Sequence, residues 1–540
     1  MDLKSLFIFD GLSKFVGFFV LFFGAVLFFY SLGFIKERKG SYYLWYFLTL
    51  ASSLGAVFSK DLILLLVFWG FLGLTLFKLI NLYSNKDASF WAKKTFIIIG
   101  GSDGFLLLGI LLYFILSSDS LINSRIPIDS KLAFSAFIFL CIGAFAKAGC
   151  MPFHTWIPGT CQYAPLPAVA YLPASLDKLL GIYLLARVVK DMFVLSDASR
   201  ALLLFLGALT VISAVMMALV QHNIKRLLGF HAVSQVGYMV LGLGCGTPLG
   251  IAGGLFHMLN NAIYKSCLFL GAGNVQHQTG KDSIEDLGGL ARFMPFTFIF
   301  TLIASLSISG IPPFNGFISK WMVYQGLVDL LGRTPNNFLK ILISGSLVLA
   351  IIGSGLTLAS FVKLLSGVFL GKEKTRAKEV KSILYIPQGI LAGLCIVLGI
   401  FFYQTVLPYL IKITGDFELL GIWKPALSTN FIIAGIILGL ILLKFMGSKT
   451  RISPVFIGGR TLDSQADVRV EDFYEGFKDL GFLRKIYVWA QKGFFDIYEQ
   501  IKNFTFVFVR FLRYLHNGVL PTYLVWSLLG MMGLFWVFFK

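Results

Sequence analysis

The sequence predicts an all-α polytopic membrane protein with about fourteen transmembrane helices, and three observations support this class. The 540 residues are 57% hydrophobic and only 14% charged, with a mean hydropathy of +0.82. Apolar runs long enough to cross a bilayer recur along most of the chain. Two of these runs are interrupted by glycine and proline beside a lysine. Such a composition excludes an ordinary soluble protein.

The predicted crossings follow one another with short loops between most of them. As helices, these runs are each long enough to cover a hydrocarbon core of about 30 Å. In chain order they cover residues 15–35, 41–59, 61–83, 95–117, 131–150, 165–188, 200–221, 225–244, 248–272, 293–330, 339–370, 385–408, 428–446 and 521–539. The segment 293–330 is predicted to be one broken span. If it forms two short spans instead, every later span is inverted.

Loops on one side of the predicted membrane are richer in basic residues than loops on the other. The richer side, called the lysine-rich side below, holds Lys36, Arg38, Lys39, Lys86, Lys93, Lys94, Lys225, Arg226, Lys372, Lys374, Arg376, Lys378, Lys381, Lys449 and Arg451. Because basic residues accumulate in cytoplasmic loops, we expect this side to face the cytoplasm of a prokaryote and both termini to lie outside. The same rule explains the net charge of +19 without a nucleic-acid partner.

Two broken segments carry lysines at membrane depth. Residues 143–156 (GAFAKAGCMPFHTW) contain Lys147, and residues 305–321 (SLSISGIPPFNGFISKW) contain Lys320. A lysine at the bilayer centre costs about 2.5 to 3.5 kcal/mol on insertion scales, and a broken helix frees backbone groups that only protein or a wet cavity can satisfy. Broken, lysine-bearing segments in two halves of a chain predict a transport path built from two inverted repeats.

Further ionisable residues lie within or at the ends of the predicted spans. They are Asp103, Asp177, Lys178, Lys225, His257, Lys265 and Lys363. His257 and Lys265 are separated by eight residues and share one helical face with Asn261. Together with Lys147 and Lys320, this set predicts a path of protonatable groups. An anion-binding solute transporter and a scaffold with static charge pairs remain alternatives at this point.

The segment 447–520 is the longest polar stretch of the chain. From Glu471 onward apolar residues recur at helical spacing, with basic residues between them. This pattern predicts a basic amphipathic helix that lies along the cytoplasmic membrane surface. It would serve either as an interfacial anchor for the last span or as a brace against a neighbouring subunit.

These features divide the chain into six regions. They are N-terminal spans (1–94), a first half-channel (95–200), a second half-channel (201–380), C-terminal spans (381–446), the loop with its lateral amphipathic helix (447–520) and the last transmembrane helix (521–540). No metal-ligand spacing, nucleotide motif or catalytic nucleophile is recognisable, so we expect neither a cofactor nor catalytic chemistry in this chain.

Several motifs resemble the antiporter-like subunits of respiratory complex I, of Mrp-type sodium/proton antiporters and of membrane-bound nickel-iron hydrogenases. They are AKAGCMPFHTWIP, DKLLGIYLLAR, NIKRLLGFHAVSQVGYMVLGLG, GLFHMLNNAIYKSCLFLGAGNV, DLGGL and SGIPPFNGFISKW. The resemblance implies a proton-translocating subunit, with sodium coupling as an option, that works beside other membrane subunits. It also implies that partner chains supply a redox module. The alternatives are a Mrp-type sodium/proton antiporter subunit, a non-transporting scaffold and a subunit of an inorganic-carbon uptake complex.

The resemblance assigns roles by position. Lys147 matches the family's central lysine, Lys320 its terminal lysine, and His257 with Lys265 the connection between half-channels. Lys225 matches the lysine that opens the KRLLGF helix, and Asp103 an acidic residue of the first half-channel.

Three positions depart from the family pattern. Gly70 stands where the family has a glutamate that pairs with the central lysine, and Pro173 and Asn261 stand where it has histidines. We therefore hypothesise that Asp177 or Asp103 replaces the missing glutamate. The alternative is that the first half-channel no longer conducts.

Overall fold

The computed structural model describes residues 6–419, 425–446, 474 and 476–539. The chain divides into two compact units, Met1–Phe477 and Lys478–Lys540. Most of the predicted loop that precedes the amphipathic helix, including its expected start at Glu471, lies outside the described residues.

Helices make up nearly all of the first unit. They are α1 (Gly11–Phe34), α2 (Lys39–Phe58), α3 (Leu62–Ile80), α4 (Lys86–Ser117), α5 (Lys131–Ala148), α6 (Trp156–Tyr163), α7 (Leu166–Tyr171), α8 (Asp177–Arg187), α9 (Asp197–Leu219), α10 (Ile224–Cys245), α11 (Pro248–Thr279), α12 (Pro295–Ser309), α13 (Asn315–Arg333), α14 (Asn337–Val368), α15 (Ser382–Ile400), α16 (Phe402–Thr405), α17 (Leu407–Thr414) and α18 (Pro425–Met446). Two short strands, β1 (Ile126–Pro127) and β2 (Phe193–Val194), pair in parallel.

The helices coincide with the predicted crossings. Within the described residues, ten helices are long and apolar enough to cross a membrane. The other predicted crossings fall on α2, on α11, on α12 together with α13, and on α18. The chain is therefore a multi-pass helical membrane protein, while the number of crossings stays a prediction.

Several helices begin at a side chain that caps their free N–H groups. Asp10, Asp61, Asn85, Ser130, Ser196, Asn223, Thr247 and Asn336 each accept a hydrogen bond from a backbone N–H of the following turn. Such caps stabilise a helix start by about 1 kcal/mol each. Asn85 explains why α4 begins nine residues before the predicted crossing at 95.

The helices that carry most of the predicted site are enclosed by other helices. The segments Leu166–Met192 and Ile224–Cys245 each contain an 18-residue stretch that is fully buried inside the structure, and α11 is buried from Leu249 to Val275. Ionisable side chains at membrane depth face a bundle interior, because lipid cannot solvate them. This enclosure separates Asp177, Lys178, His257 and Lys265 from lipid.

The segment Leu166–Met192 differs from the continuous helix predicted there. Its α-helical parts are joined and ended by π-helical turns at Leu172–Leu176 and Val188–Met192. The first turn contains Pro173, which has no backbone N–H to donate within the helix. Asp177 follows this turn directly, in the first turn of α8. π-helical turns are frequent at functional sites.

The second unit contains α20 (Gly481–Gln491), α21 (Ile497–Leu515) and α22 (Leu520–Phe538), preceded by the short α19 (Gly476–Asp479) at its boundary. The predicted amphipathic helix is interrupted here, since the chain leaves the helix between α20 and α21. Gly493 adopts a φ of 74°, and Asp496 caps the start of α21 by accepting from the N–H of Tyr498 at 3.1 Å. The location of these helices at the membrane surface stays a prediction.

A buried arginine ties the N-terminal cap to the end of α8. Arg187 Nη1 and Nη2 lie 2.6 and 2.7 Å from the two carboxylate oxygens of Asp10, and Nη1 lies 2.7 Å from Asp191. Burial raises the pKa of Asp10, but the hydrogen bonds and charge of Arg187 outweigh this effect and hold that pKa well below its usual range. Asp10 thus stays ionised, and its contribution to stability is lost only in strong acid.

We expect Asp10→Ala to lower the free energy of unfolding by about 2 kcal/mol, because a charge-assisted pair to a buried guanidinium is lost. Asp329→Ala is the control, since its partner Arg333 is 67% exposed and exposed pairs contribute about 0 to 1 kcal/mol. Thermal unfolding of the purified protein measures both. Equal losses in the two variants would contradict the assignment.

Candidate functional site

Both broken segments use the same device to end a helix. Gly149 follows α5 with a φ of 81°, and Gly310 follows α12 with a φ of 80°. Glycine adopts this left-handed conformation without a steric penalty, so it ends helices readily. The chain then runs without α-helix until α6 and α13 begin. Each break leaves the last carbonyl groups of a helix inside the bundle.

Three predicted lysines contact carbonyl groups at the C-terminal ends of helices. Lys178 Nζ donates to the carbonyl oxygen of Ala148, the last residue of α5. Lys320 Nζ donates to Ile308 of α12 at 2.8 Å, and Lys363 Nζ donates to Leu219, the last residue of α9, at 3.1 Å. The C-terminal end of a helix carries partial negative charge and favours a cation. The fold therefore binds these ammonium groups through backbone carbonyl groups, and none of these three hydrogen bonds involves a carboxylate.

Lys147 lies in a different environment, on the last turn of α5. Its side chain is fully buried, and Nζ lies 5.3 Å from the centre of the Trp69 ring. The acidic groups that act on it electrostatically are Asp177 and Asp103. Among the described residues, the Lys147 amine, both Asp177 oxygens and Oδ1 of Asp103 lack hydrogen-bond partners. Buried polar groups of this kind are ordinarily satisfied by water.

Gly70, where the family resemblance places a glutamate, faces open space. Gly70 is exposed on α3, and a Cβ atom added there would meet nothing within 4 Å. Asp103 approaches the same helix from α4, because a Cβ at Gly73 would lie 3.9 Å from Asp103 Oδ2. Asp177 approaches Lys147 from α8. Both hypothesised replacements are therefore electrostatic neighbours of this lysine and come from different helices.

Lys265 lies on α11 between groups of the predicted first and second half-channels. Its Nζ donates to the Leu228 carbonyl at 2.8 Å and lies 5.8 Å from the centre of the Phe361 ring. Lys178 acts on it electrostatically from the first half. On the other side, Lys265 and Lys320 both act on His231.

The second half contains a hydrogen-bonded group around His257. Its Nδ1 lies 2.9 Å from Ser319 Oγ, and its Nε2 lies 3.2 Å from Gln235 Oε1. Lys320, next to Ser319 in the chain, places Nζ 4.8 Å from the centre of the Tyr238 ring. Asn261, on the same helix as His257, is buried with no partner among the described residues for either polar atom.

Lys225 does not share this environment. It is the second residue of α10, and its Nζ forms an ion pair with Asp282 at 2.8 Å, with the carboxylate 33% exposed. The structure therefore places Lys225 near an end of the bundle, where it has an acidic partner.

Sequence reasoning missed three residues of the site, all on α10. His231, Gln235 and Tyr238 are fully buried, and His231 Nε2 lies 2.7 Å from Ser360 Oγ. Their spacing of four and three residues places them on one helical face. That spacing, in an otherwise apolar helix, is a signal from which they could have been found.

The site is thus a series of charged or titratable groups, buried except for the half-buried Asp103, and each is an electrostatic neighbour of the next. We call it the charged axis: Asp103, Lys147, Asp177, Lys178, Lys265, His231, Lys320 and His257. Its members come from both halves of the first unit. Such an arrangement can pass charge stepwise through a protein interior.

Residues 59–347 match the family model described as NADH:quinone oxidoreductase/Mrp antiporter, TM. The chain belongs to this family. The family resemblance stated from the motifs is thereby confirmed. The matched range contains every member of the charged axis.

Curated relatives include subunits A1 of Na(+)/H(+) antiporters. The chain is 32% identical over 472 residues to the one from Staphylococcus haemolyticus, which covers 80% of this chain and 58% of the relative. It is 31% identical to the one from Staphylococcus aureus strain JH9, covering 73% of this chain and 52% of the relative. The chain therefore spans about half the length of these relatives.

Solved structures with the same fold belong to multisubunit complexes. A chain of the archaeal membrane-bound sulfane sulfur reductase matches 97% of this chain and 88% of its own, with a TM-score of 0.79 and 22% identity. A chain of the Mrp complex from Dietzia sp. DQ12-45-1b matches 94% and 56%, with a TM-score of 0.70 and 25% identity. A chain of complex I from Thermus thermophilus matches 75% and 86%, with a TM-score of 0.62 and 24% identity.

The glycine that ends α12 generates a testable prediction. An alanine at Gly310 would be held in a left-handed conformation, and its Cβ would lie 3.1 Å from Lys320 Cδ. We expect Gly310→Ala to lower the free energy of unfolding by about 1 to 2 kcal/mol. Gly332→Ala on α13 meets nothing within 4 Å and should be neutral or stabilising. Thermal unfolding of both variants decides, and equal stability would refute the role of this break.

Proposed function

We propose that this chain translocates protons along the charged axis as one subunit of a multisubunit complex in a prokaryotic cell membrane. The continuity of the axis through both halves carries this proposal. Lys147, Lys178, Lys265 and Lys320 are fully or almost fully buried, and amines in such surroundings can release and take up protons. The buried Lys147 amine has no hydrogen-bond partner among the described residues. A static scaffold would not require an amine in this state.

The driving force must come from outside the charged axis. Moving one charge against 100 mV costs about 2.3 kcal/mol. We infer that partner chains supply it through a redox module, as in a membrane-bound hydrogenase or a complex I-like enzyme. Neighbouring membrane subunits are expected partners, because the solved chains of this fold come from multisubunit complexes. The lysine-rich side would face the cytoplasm, with both termini outside.

A second candidate function is sodium/proton exchange. The observation in its favour is the 32% identity to the Na(+)/H(+) antiporter subunit A1 of Staphylococcus haemolyticus. In this case a gradient of one ion would drive the other, and the same buried amines would carry the protons.

Lysine substitutions test translocation directly. We expect Lys147→Ala and Lys320→Ala each to abolish the pH gradient that the intact complex forms in sealed vesicles, because each removes a proton-binding group from the axis. Lys78→Ala is the control, since Lys78 is exposed within its span. Following pH and sodium with separate dyes distinguishes the two candidate functions.

The outcomes separate the alternatives. Gradients that persist in both axis variants, with the complex assembled, would refute translocation through this chain and leave a scaffold. Loss in Lys320→Ala alone would show that the first half does not conduct.

The replacement of the missing glutamate is tested by two amide variants. Asp177→Asn and Asp103→Asn keep the shape of each side chain and remove its charge. One of the two carboxylates is expected to pair with Lys147 during turnover. Replacing that carboxylate by an amide should reduce the initial rate of gradient formation by about tenfold or more. The other variant should retain most of the rate. Equal, full activity in both would exclude either carboxylate as the partner.

A further inference from the structure

One face of α12 carries a row of hydroxyl groups. Thr297, Thr301, Ser305 and Ser309 follow one another at intervals of four residues, so they lie on one side of the helix. They are 0%, 3%, 1% and 4% exposed. We call these four side chains the hydroxyl row. A buried face of an otherwise apolar helix does not need four hydroxyl groups for packing.

The row begins at a carboxylate. Glu379 lies in the connection between α14 and α15, among the basic loops of the lysine-rich side. One of its oxygens accepts from the Thr297 hydroxyl at 2.7 Å and the other from the N–H of Phe296 at 2.9 Å. Glu379 is half-buried, so the carboxyl group reaches both water and the first hydroxyl.

The row ends beside the terminal lysine of the charged axis. Ser309 is the last residue of α12, and Lys320 Nζ donates to the neighbouring Ile308 carbonyl at 2.8 Å. The row thus runs from the lysine-rich side to Lys320, independently of the axis members in the first half.

Polar side chains accompany the row. Gln388 Nε2 donates to Thr301 Oγ1 at 3.1 Å, and Asn274 Nδ2 donates to Gln388 Oε1 at 3.0 Å. Gly271 makes room for this contact, because a Cβ there would lie 2.4 Å from Thr301 Oγ1.

Ser305 is the member that distinguishes the row from ordinary helix packing. The Thr301 and Ser309 hydroxyls each donate to the carbonyl four residues earlier at 2.7 Å, which is common in membrane helices. Ser305 Oγ makes no hydrogen bond to any described residue, although it is 1% exposed. A hydroxyl in that position is costly unless water binds it.

The spacing fits a chain with water between the hydroxyl groups. Four helical residues rise about 6 Å, whereas two hydrogen-bonded oxygens are about 2.8 Å apart. One water between successive hydroxyls therefore completes each step.

We propose that the hydroxyl row is a water-bridged proton access path between Glu379 and Lys320, which rests on the proposed translocation function. Glu379 exchanges a proton with water on the lysine-rich side. Each proton that Glu379 gives to the first bridging water is matched by one that the last water gives to a neutral Lys320 amine. The hydroxyl groups donate and accept in turn and keep their own protons overall.

The test compares serines in the same state of burial. Ser305→Ala removes a hydroxyl of the row, and Ser346→Ala removes a hydroxyl on α14 that is also 1% exposed and also lacks a partner among the described residues. Neither loses a protein hydrogen bond, so both should keep the thermal midpoint of the intact complex. We expect Ser305→Ala to slow gradient formation in sealed vesicles by at least about tenfold, and Ser346→Ala to leave it unchanged.

A second pair guards against a local packing effect. Thr301→Val and Thr357→Val replace buried threonines that both donate to the carbonyl four residues earlier at 2.7 Å. The access path requires a slower rate per assembled complex in Thr301→Val only. The access path would be overturned if Ser305→Ala and Ser346→Ala had equal rates and Thr301→Val and Thr357→Val also had equal rates.

Lys320→Ala in the same vesicles separates the two proposals. If it abolishes the gradient while Ser305→Ala does not slow it, the access path alone is wrong. If Lys320→Ala leaves the gradient intact, the proposed function itself fails.

Discussion

The burial of amines governs the rest of this structure. An ammonium group inside a bundle needs negative charge, a helix end or an aromatic face, because lipid offers none of these. The fold meets this requirement mostly with helix ends: α5 and α12 stop inside the bundle, and these two helices and α9 each give a carbonyl near their C-terminus to a lysine. Glycine at Gly149 and Gly310 makes two of these stops feasible. The breaks and the lysines therefore depend on each other.

The two halves balance charge differently. In the first half, Asp103 and Asp177 act on Lys147, so carboxylates can compensate its charge. The helices α10, α11 and α12 contain no acidic residue, yet Lys265 and Lys320 act jointly on His231. Like charges in a poorly solvated interior disfavour each other. Protonation at one position of the second half therefore opposes protonation at the next.

Much of this could be predicted from the sequence, because the signals are local. Glycine and proline beside Lys147 and Lys320 indicated the breaks, and charges in apolar runs indicated the site. The π-helical turn at Leu172–Leu176 was missed, since its apolar residues keep helical spacing. His231 was missed because its role depends on Lys265 and Lys320 on other helices. Periodicity within one helix carries no information about such partners.

The lack of acidic residues on α10 to α12 gives Glu379 its significance. Along α10, α11 and α12, a base can accept a proton when a neighbouring base has lost one, so these helices need a donor at their boundary. Glu379 stands at that boundary, bonded to the first hydroxyl of α12, while Lys320 stands near the last. Repulsion along the axis would then favour release of the proton already held before the next arrives. Stepwise passage would follow from charge spacing alone, without a large movement of the helices.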